Sequence, residues 1–104
     1  MNTALLQLTL TFPLALEEQL LGELLELDPD LPGFTTLRAQ GHGHGYAHAS
    51  IREQVRGRTD RGMLLLVLTS DRAEALIAGL RLRLPVVEVV YWITPVLDFG
   101  RLGK

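Results

Sequence analysis

All three histidines of the chain, His42, His44 and His48, fall within one short segment, interleaved with Gly41, Gly43 and Gly45. Imidazole nitrogen is the commonest protein donor to transition metals and suits zinc, copper, nickel and cobalt. On an extended chain His42 and His44 project to the same side. The glycines permit the tight turns that bring His48 towards them. Three imidazoles can hold a divalent ion and leave a fourth position for water, a carboxylate or another chain. The spacing His-x-His-x-x-x-His is equally compatible with solvated histidines in a glycine-rich loop, so the residues alone leave both readings open.

Arg52, Arg56, Arg58 and Arg61 follow directly. Guanidinium groups bind phosphate or carboxylate in bidentate fashion, and a helical turn at 50–56 puts Arg52 and Arg56 on one face. Solubility and pairing with Glu53 and Asp60 is the simpler use of the same arginines. Gly41, Gly43 and Gly45 can bring backbone N–H groups close to an anion. They are not followed by the Lys-Ser/Thr of a phosphate-binding loop, and loop flexibility accounts for them as well. Recognition of single-stranded nucleic acid calls for interleaved aromatic residues, and Tyr46 stands alone in the segment.

No catalytic constellation accompanies these groups. Ser50 and Ser70 have no evident activating base beyond the proximity of His48 to Ser50, and the clustered acids from Glu17 to Asp30 belong to the outer face of a helix. The chain reads as a non-enzyme.

The length of 104 residues sets one domain, 1–104, and 47% apolar residues suffice for a core. A net charge of −2 gives no global argument for nucleic acid. Cysteine is absent, which removes disulfides, thiolate metal sites and thiol nucleophiles and fits a cytoplasmic protein. The N-terminal stretch lacks a basic region and is interrupted by Gln7, Thr9 and Thr11, so no secretory leader is expected. The apolar run from Met63 to Leu68 is too short to span a bilayer. A soluble, non-inserted protein is the expectation.

The elements that must position the segment follow from periodicity. Leu6, Leu8, Leu10 and Phe12 alternate with Gln7, Thr9 and Thr11, a half-buried strand. Pro13 suits the first turn of a helix whose apolar stripe is Leu16, Leu20, Leu21, Leu24, Leu25 and Leu27. Asp28-Pro29-Asp30-Leu31-Pro32-Gly33 ends it. A second strand is expected over 34–41, an exposed loop or an extended hairpin over 41–61 and a third strand over 61–69, apolar on both faces. Ser70 or Asp71, with Glu74, can cap a second helix buried through Ala73, Leu76, Ile77, Leu80 and Leu84 and ended by Pro85. A fourth strand is expected over 86–94, with 96–99 as an edge continuation. The order β-α-β-β-α-β predicts an α+β, ferredoxin-like sandwich: an antiparallel four-stranded sheet with two helices on one face. The other face needs a cover, and a symmetric oligomer supplies it; Tyr91 and Trp92, on opposite faces of the fourth strand, read as packing or subunit contacts.

This layout, with a long loop between strands two and three, resembles PII signal-transduction proteins and their PII-like relatives. Gly33-Phe34-Thr35-Thr36 followed by Gly41-His42-Gly43-His44-Gly45 is similar to the PII stretch in which Gly-x-Thr precedes Gly-x-Gly-x-x-Gly, with the last glycine one residue early. The ending Tyr91-Trp92-Ile93-Thr94-Pro95-Val96 resembles a short PII-like group associated with heavy-metal efflux systems of the resistance-nodulation-division type. The resemblance implies a homotrimer with inward-facing sheets, a small-ligand sensor, and an efflux pump as partner. Gly79 to Val86 lacks the Gly-rich, Lys- and Arg-bearing segment with which PII proteins close their nucleotide site, so ATP binding in that manner is not expected. A metal buffer or carrier, and a nucleotide- or metabolite-sensing domain, are the alternative functions.

Overall fold

The computed structural model describes residues 4–42 and 58–103. Strand β1 (Leu5–Pro13) leads through a 3-10 turn (Leu14–Leu16) into helix α1 (Glu17–Leu27). Strands β2 (Phe34–His42) and β3 (Arg58–Thr69), helix α2 (Ser70–Arg83) and strand β4 (Val90–Pro95) complete the order. The sheet order is β2-β3-β1-β4, and each neighbouring pair is antiparallel. Each helix therefore connects two strands that have a third between them, and the result is the ferredoxin-like sandwich expected from the sequence.

Strand alternation decides which side is the core. Leu8, Leu10 and Phe12 of β1 and Leu64, Leu66 and Leu68 of β3 are buried, as are Leu20 and Leu24 of α1 and Ala73, Leu76, Ile77 and Leu80 of α2. The register places Leu10 opposite Leu64 and Leu8 opposite Leu66, so these side chains share the face under the helices. The stripe of α1 is narrower than its leucines suggest, because Leu25 is half exposed. The expected stripe of α2, Leu84 included, is buried throughout.

Helix α1 starts later than expected. Pro13 ends β1 in an extended conformation (ψ 137°), and the α-helix begins only at Glu17. The cap of α2 falls on Thr69, which makes no side-chain cap hydrogen bond. The Ser70 N–H donates to the Ala4 carbonyl (2.9 Å), so the chain's own first strand satisfies an end group that a capping box otherwise would.

The fourth strand is also shorter than its β-branched residues imply. Residues 86–89 form a turn in which the Val89 N–H donates to the Val86 carbonyl (3.0 Å), and Val86 and Val89 pack against the core beside Leu84. Burial of these two valines outweighs their strand propensity. Val90 then pairs with Thr11, and Pro95 with Leu6, as the last rung. Beyond it the 96–99 segment is not a strand, although the Val96 N–H donates to the Leu5 carbonyl (3.4 Å).

The acidic face of α1 is not left to solvent alone. Arg72 donates to Asp28 from two nitrogens (2.9 and 2.6 Å) and to the Asp30 carbonyl (2.8 Å). Arg83 meets Glu23 (3.3 Å) and Glu26 (2.7 Å). Both contacts tie α2 to α1 across the top of the sandwich, and each joins groups far apart in sequence.

The opposite sheet face is less fully covered by the described residues. Met63, Leu65 and Val67 are only half buried there, and Leu37, Val90 and Trp92 are exposed. Thr9, between Leu65 and Trp92 in the register, is nevertheless 1% exposed, shielded by its larger neighbours. The third strand is thus apolar on both faces, as expected, and the chain itself covers one of them.

Candidate functional site

The β2–β3 ladder runs further than the sequence suggests. Its last rungs pair Gln40 with Asp60, Gly41 with Thr59 and His42 with Arg58. Both ends of the 41–61 segment, expected as an exposed loop or an extended hairpin, are strand. Mutual backbone hydrogen bonding carries the hairpin past the last apolar pair, so polar residues extend it as a stalk. His42 is exposed at its end, and Arg58 is its backbone partner. Gly43, His44, Gly45, His48, Arg52 and Arg56 lie outside the described residues. Of the candidate ligands the structure thus places Gly41, His42 and Arg58 together at one end of the sheet.

Of this arginine cluster, the structure describes the side chain of Arg61. It occupies the open sheet face on the edge of the stalk and is only 6% exposed. Its guanidinium donates to the backbone carbonyl of Glu88, in the turn that precedes β4. A charged donor buried against a carbonyl fixes that turn to the base of the hairpin.

An open cleft of about 450 Å³ lies between these two parts. Gln40, Gly41 and Arg61 line it from the hairpin, Val87 and Glu88 from the turn, and Thr11, Met63, Val90 and Trp92 from the open sheet face. It combines an apolar floor with one guanidinium and one carboxylate residue at the wall, an arrangement suited to a small polar or anionic ligand. A second depression, over the β2–β3 ladder, is lined by Leu14, Arg38, Gln40 and Asp60. Among the described residues no cluster of three or more metal-ligating side chains occurs.

Glu88 and Trp92 were not legible as site residues. Glu88 interrupts an otherwise apolar run from Val86 to Tyr91, which is the one signal the sequence offers for it. Trp92 reads as a packing residue, and it is 41% exposed at the cleft floor. Among the described residues no helix is long and apolar enough to cross a membrane.

Comparison with known proteins agrees with this architecture. The model of a family described as "Protein of unknown function (DUF3240)" matches residues 2–103. A solved DUF3240 family protein from Shewanella baltica is 20% identical, with a TM-score of 0.75 over 97% of this chain and 99% of its own. CPII, a nitrogen regulatory PII-like protein from Thiomonas intermedia bound to ADP, AMP and bicarbonate, is 17% identical, with a TM-score of 0.69 over 97% of this chain and 98% of its own. Arabidopsis thaliana PII bound to citrate is 14% identical, with a TM-score of 0.69 over 96% of this chain and 84% of its own. No curated protein matches the chain. The fold shared with PII proteins is thus the one the sequence resemblance implied.

Proposed function

We propose that this chain, which belongs to the DUF3240 family, is a non-enzymatic, cytoplasmic PII-like regulator that assembles as a homotrimer. It senses a small ligand at the hairpin end, and the ligand we favour is a divalent transition-metal ion held by His42, His44 and His48. Arg52, Arg56 and Arg58, with Gly41, Gly43 and Gly45, then meet an anionic group of the ligand or partner. The partner we favour is a heavy-metal efflux system, whose activity changes as the loop orders on binding.

The observation that supports this reading most is the stalk. The ladder holds His42 and Arg58 opposite one another, so the segment that carries the remaining histidines and arginines springs from a fixed base beside the cleft. A donor-rich segment on a rigid base can change its shape without disturbing the core. The half-exposed apolar face of β3 supports the trimer, since a contiguous apolar surface of this kind marks an association site. Titration of zinc, copper, cobalt and nickel by calorimetry, into wild type and a His42→Ala/His44→Ala/His48→Ala variant, tests the site. Binding lost in the variant supports it, and equal weak binding in both removes it.

A second reading rests on the cleft itself. Arg61, Gly41 and Glu88 stand at its wall, and a nucleotide or metabolite with an anionic group fits that chemistry. Calorimetry with ATP, ADP, AMP and bicarbonate separates the two: heat that survives loss of the histidines but not Arg61→Met assigns the ligand to the cleft.

A further inference from the structure

The end of the chain displays apolar side chains that its own fold does not cover. Leu97 is 101% exposed, Phe99 62% and Leu102 110%. They follow β4, which leaves the sheet beside Leu5 and Leu6. Between them stands Asp98, which has no cationic partner among the described residues.

A second feature complements them. On the helix face an apolar groove of about 240 Å³ opens between α2, the 85–89 turn and β4. Leu10, Ile77, Leu80, Leu84, Val86 and Val89 line it. Arg81 stands at its rim, donating to the Tyr91 hydroxyl (3.0 Å) with its guanidinium 5.7 Å from the centre of the Tyr91 ring. Among the described residues Arg81 has no carboxylate partner, whereas Arg72 of the same helix has one and Arg83 two. Tyr91 holds the cation at the mouth of an apolar cavity, where an acidic residue flanked by apolar ones fits.

We propose that the segment Leu97–Leu102 of one copy of this chain docks into the groove beneath Arg81 of another, with Leu97 and Phe99 against the apolar lining and Asp98 paired to Arg81. The groove opens near Val89 and Tyr91, at the start of β4, while the segment departs after Pro95, at the other end of the strand. Leu97 and Leu102 are fully exposed, so the segment does not fill the groove of its own chain, which favours a neighbouring copy. The contact rests on the self-association in the proposed function, and it adds a strap on the helix side to the cover of the open sheet face.

The absence of cysteine makes the contact directly testable. Pro85→Cys marks the groove, and Gly100→Cys marks the segment, where an added Cβ meets nothing within 4 Å. Neither change removes Asp98, Phe99 or Arg81. The two single-cysteine proteins are mixed, allowed to exchange subunits and treated with a short bis-maleimide. A covalent dimer of one of each is expected. Arg81→Glu should lower its yield about tenfold, since like charges set against each other suppress an interface, and Arg81→Glu with Asp98→Arg should restore it. A yield indifferent to Arg81→Glu overturns the proposal, as does cross-linking within a doubly substituted single chain in place of between chains. An oligomer by light scattering that gives no cross-link overturns this contact alone, whereas a single-chain mass overturns it together with the trimer.

Discussion

Replacing Gly62 by alanine drives a methyl group into the ring of Phe12. A Cβ built at Gly62 lies 2.7 Å from Phe12 Cζ and 3.1 Å from Cδ2, and closer still to Cε2. Carbon atoms prefer about 3.5–4.0 Å, so the overlap is roughly 1 Å. Phe12 is 0% exposed and faces Gly62 across the β1–β3 ladder, so its ring has no free space to enter. Overpacking of this kind costs about 1–3 kcal/mol. Loss of glycine's freedom in the unfolded chain offsets about 0.4–1 kcal/mol of it. The net expectation is a loss of about 1–2 kcal/mol, or a five- to thirtyfold larger unfolded fraction. Urea unfolding at fixed protein concentration measures it, because association contributes to apparent stability. The same substitution made on a Phe12→Leu background should be nearly neutral, a coupling of about 1 kcal/mol or more between the two sites. A neutral or stabilising Gly62→Ala, or additive single and double variants, refutes the reasoning. The test bears on function because Gly62 adjoins Arg61, and a shift of β3 here moves the wall of the cleft.

Other perturbations separate the remaining parts of the account. Arg61→Met strips the donor from the Glu88 carbonyl and should cost about 1.5–3 kcal/mol, with faster amide exchange across 86–89; unchanged exchange there contradicts the clamp. Asp28→Asn breaks the two-nitrogen contact with Arg72, a partly exposed pair, and should cost about 1 kcal/mol or less in urea unfolding, with the loss diminished at high salt. Arg83→Ala, whose partners are more exposed, should stay within about 0.5 kcal/mol of wild type. Trp92→Glu, at an exposed position in the single chain, should abolish association measured by sedimentation while far-ultraviolet circular dichroism is retained; an unchanged oligomer contradicts the role of the open face.

Much of the fold was legible because period-two and helical patterns are clean where one face is buried. The alternation of Leu6 to Phe12 and the stripe from Ala73 to Leu84 each fixed an element and its inward side. The start of β4 was not legible. Val86, Val87, Val89 and Val90 have uniform strand propensity, and only the packing of Val86 and Val89 against the core at the end of α2 separates the turn from the strand. The contacts of Arg72 and Arg83 with α1 depend on the fold bringing distant residues together. For the site, Gly41 and His42 could be placed at a hairpin end from spacing alone. Arg61 was not legible as a cleft residue, because its burial against a carbonyl depends on a turn 27 residues away.

The proposed trimer rests on an apolar sheet face that the described residues leave partly open. Molar mass by multi-angle light scattering, followed through micromolar concentrations, tests this most directly. The account predicts three times the chain mass of 11.5 kDa, and a particle that keeps the mass of one chain throughout contradicts it.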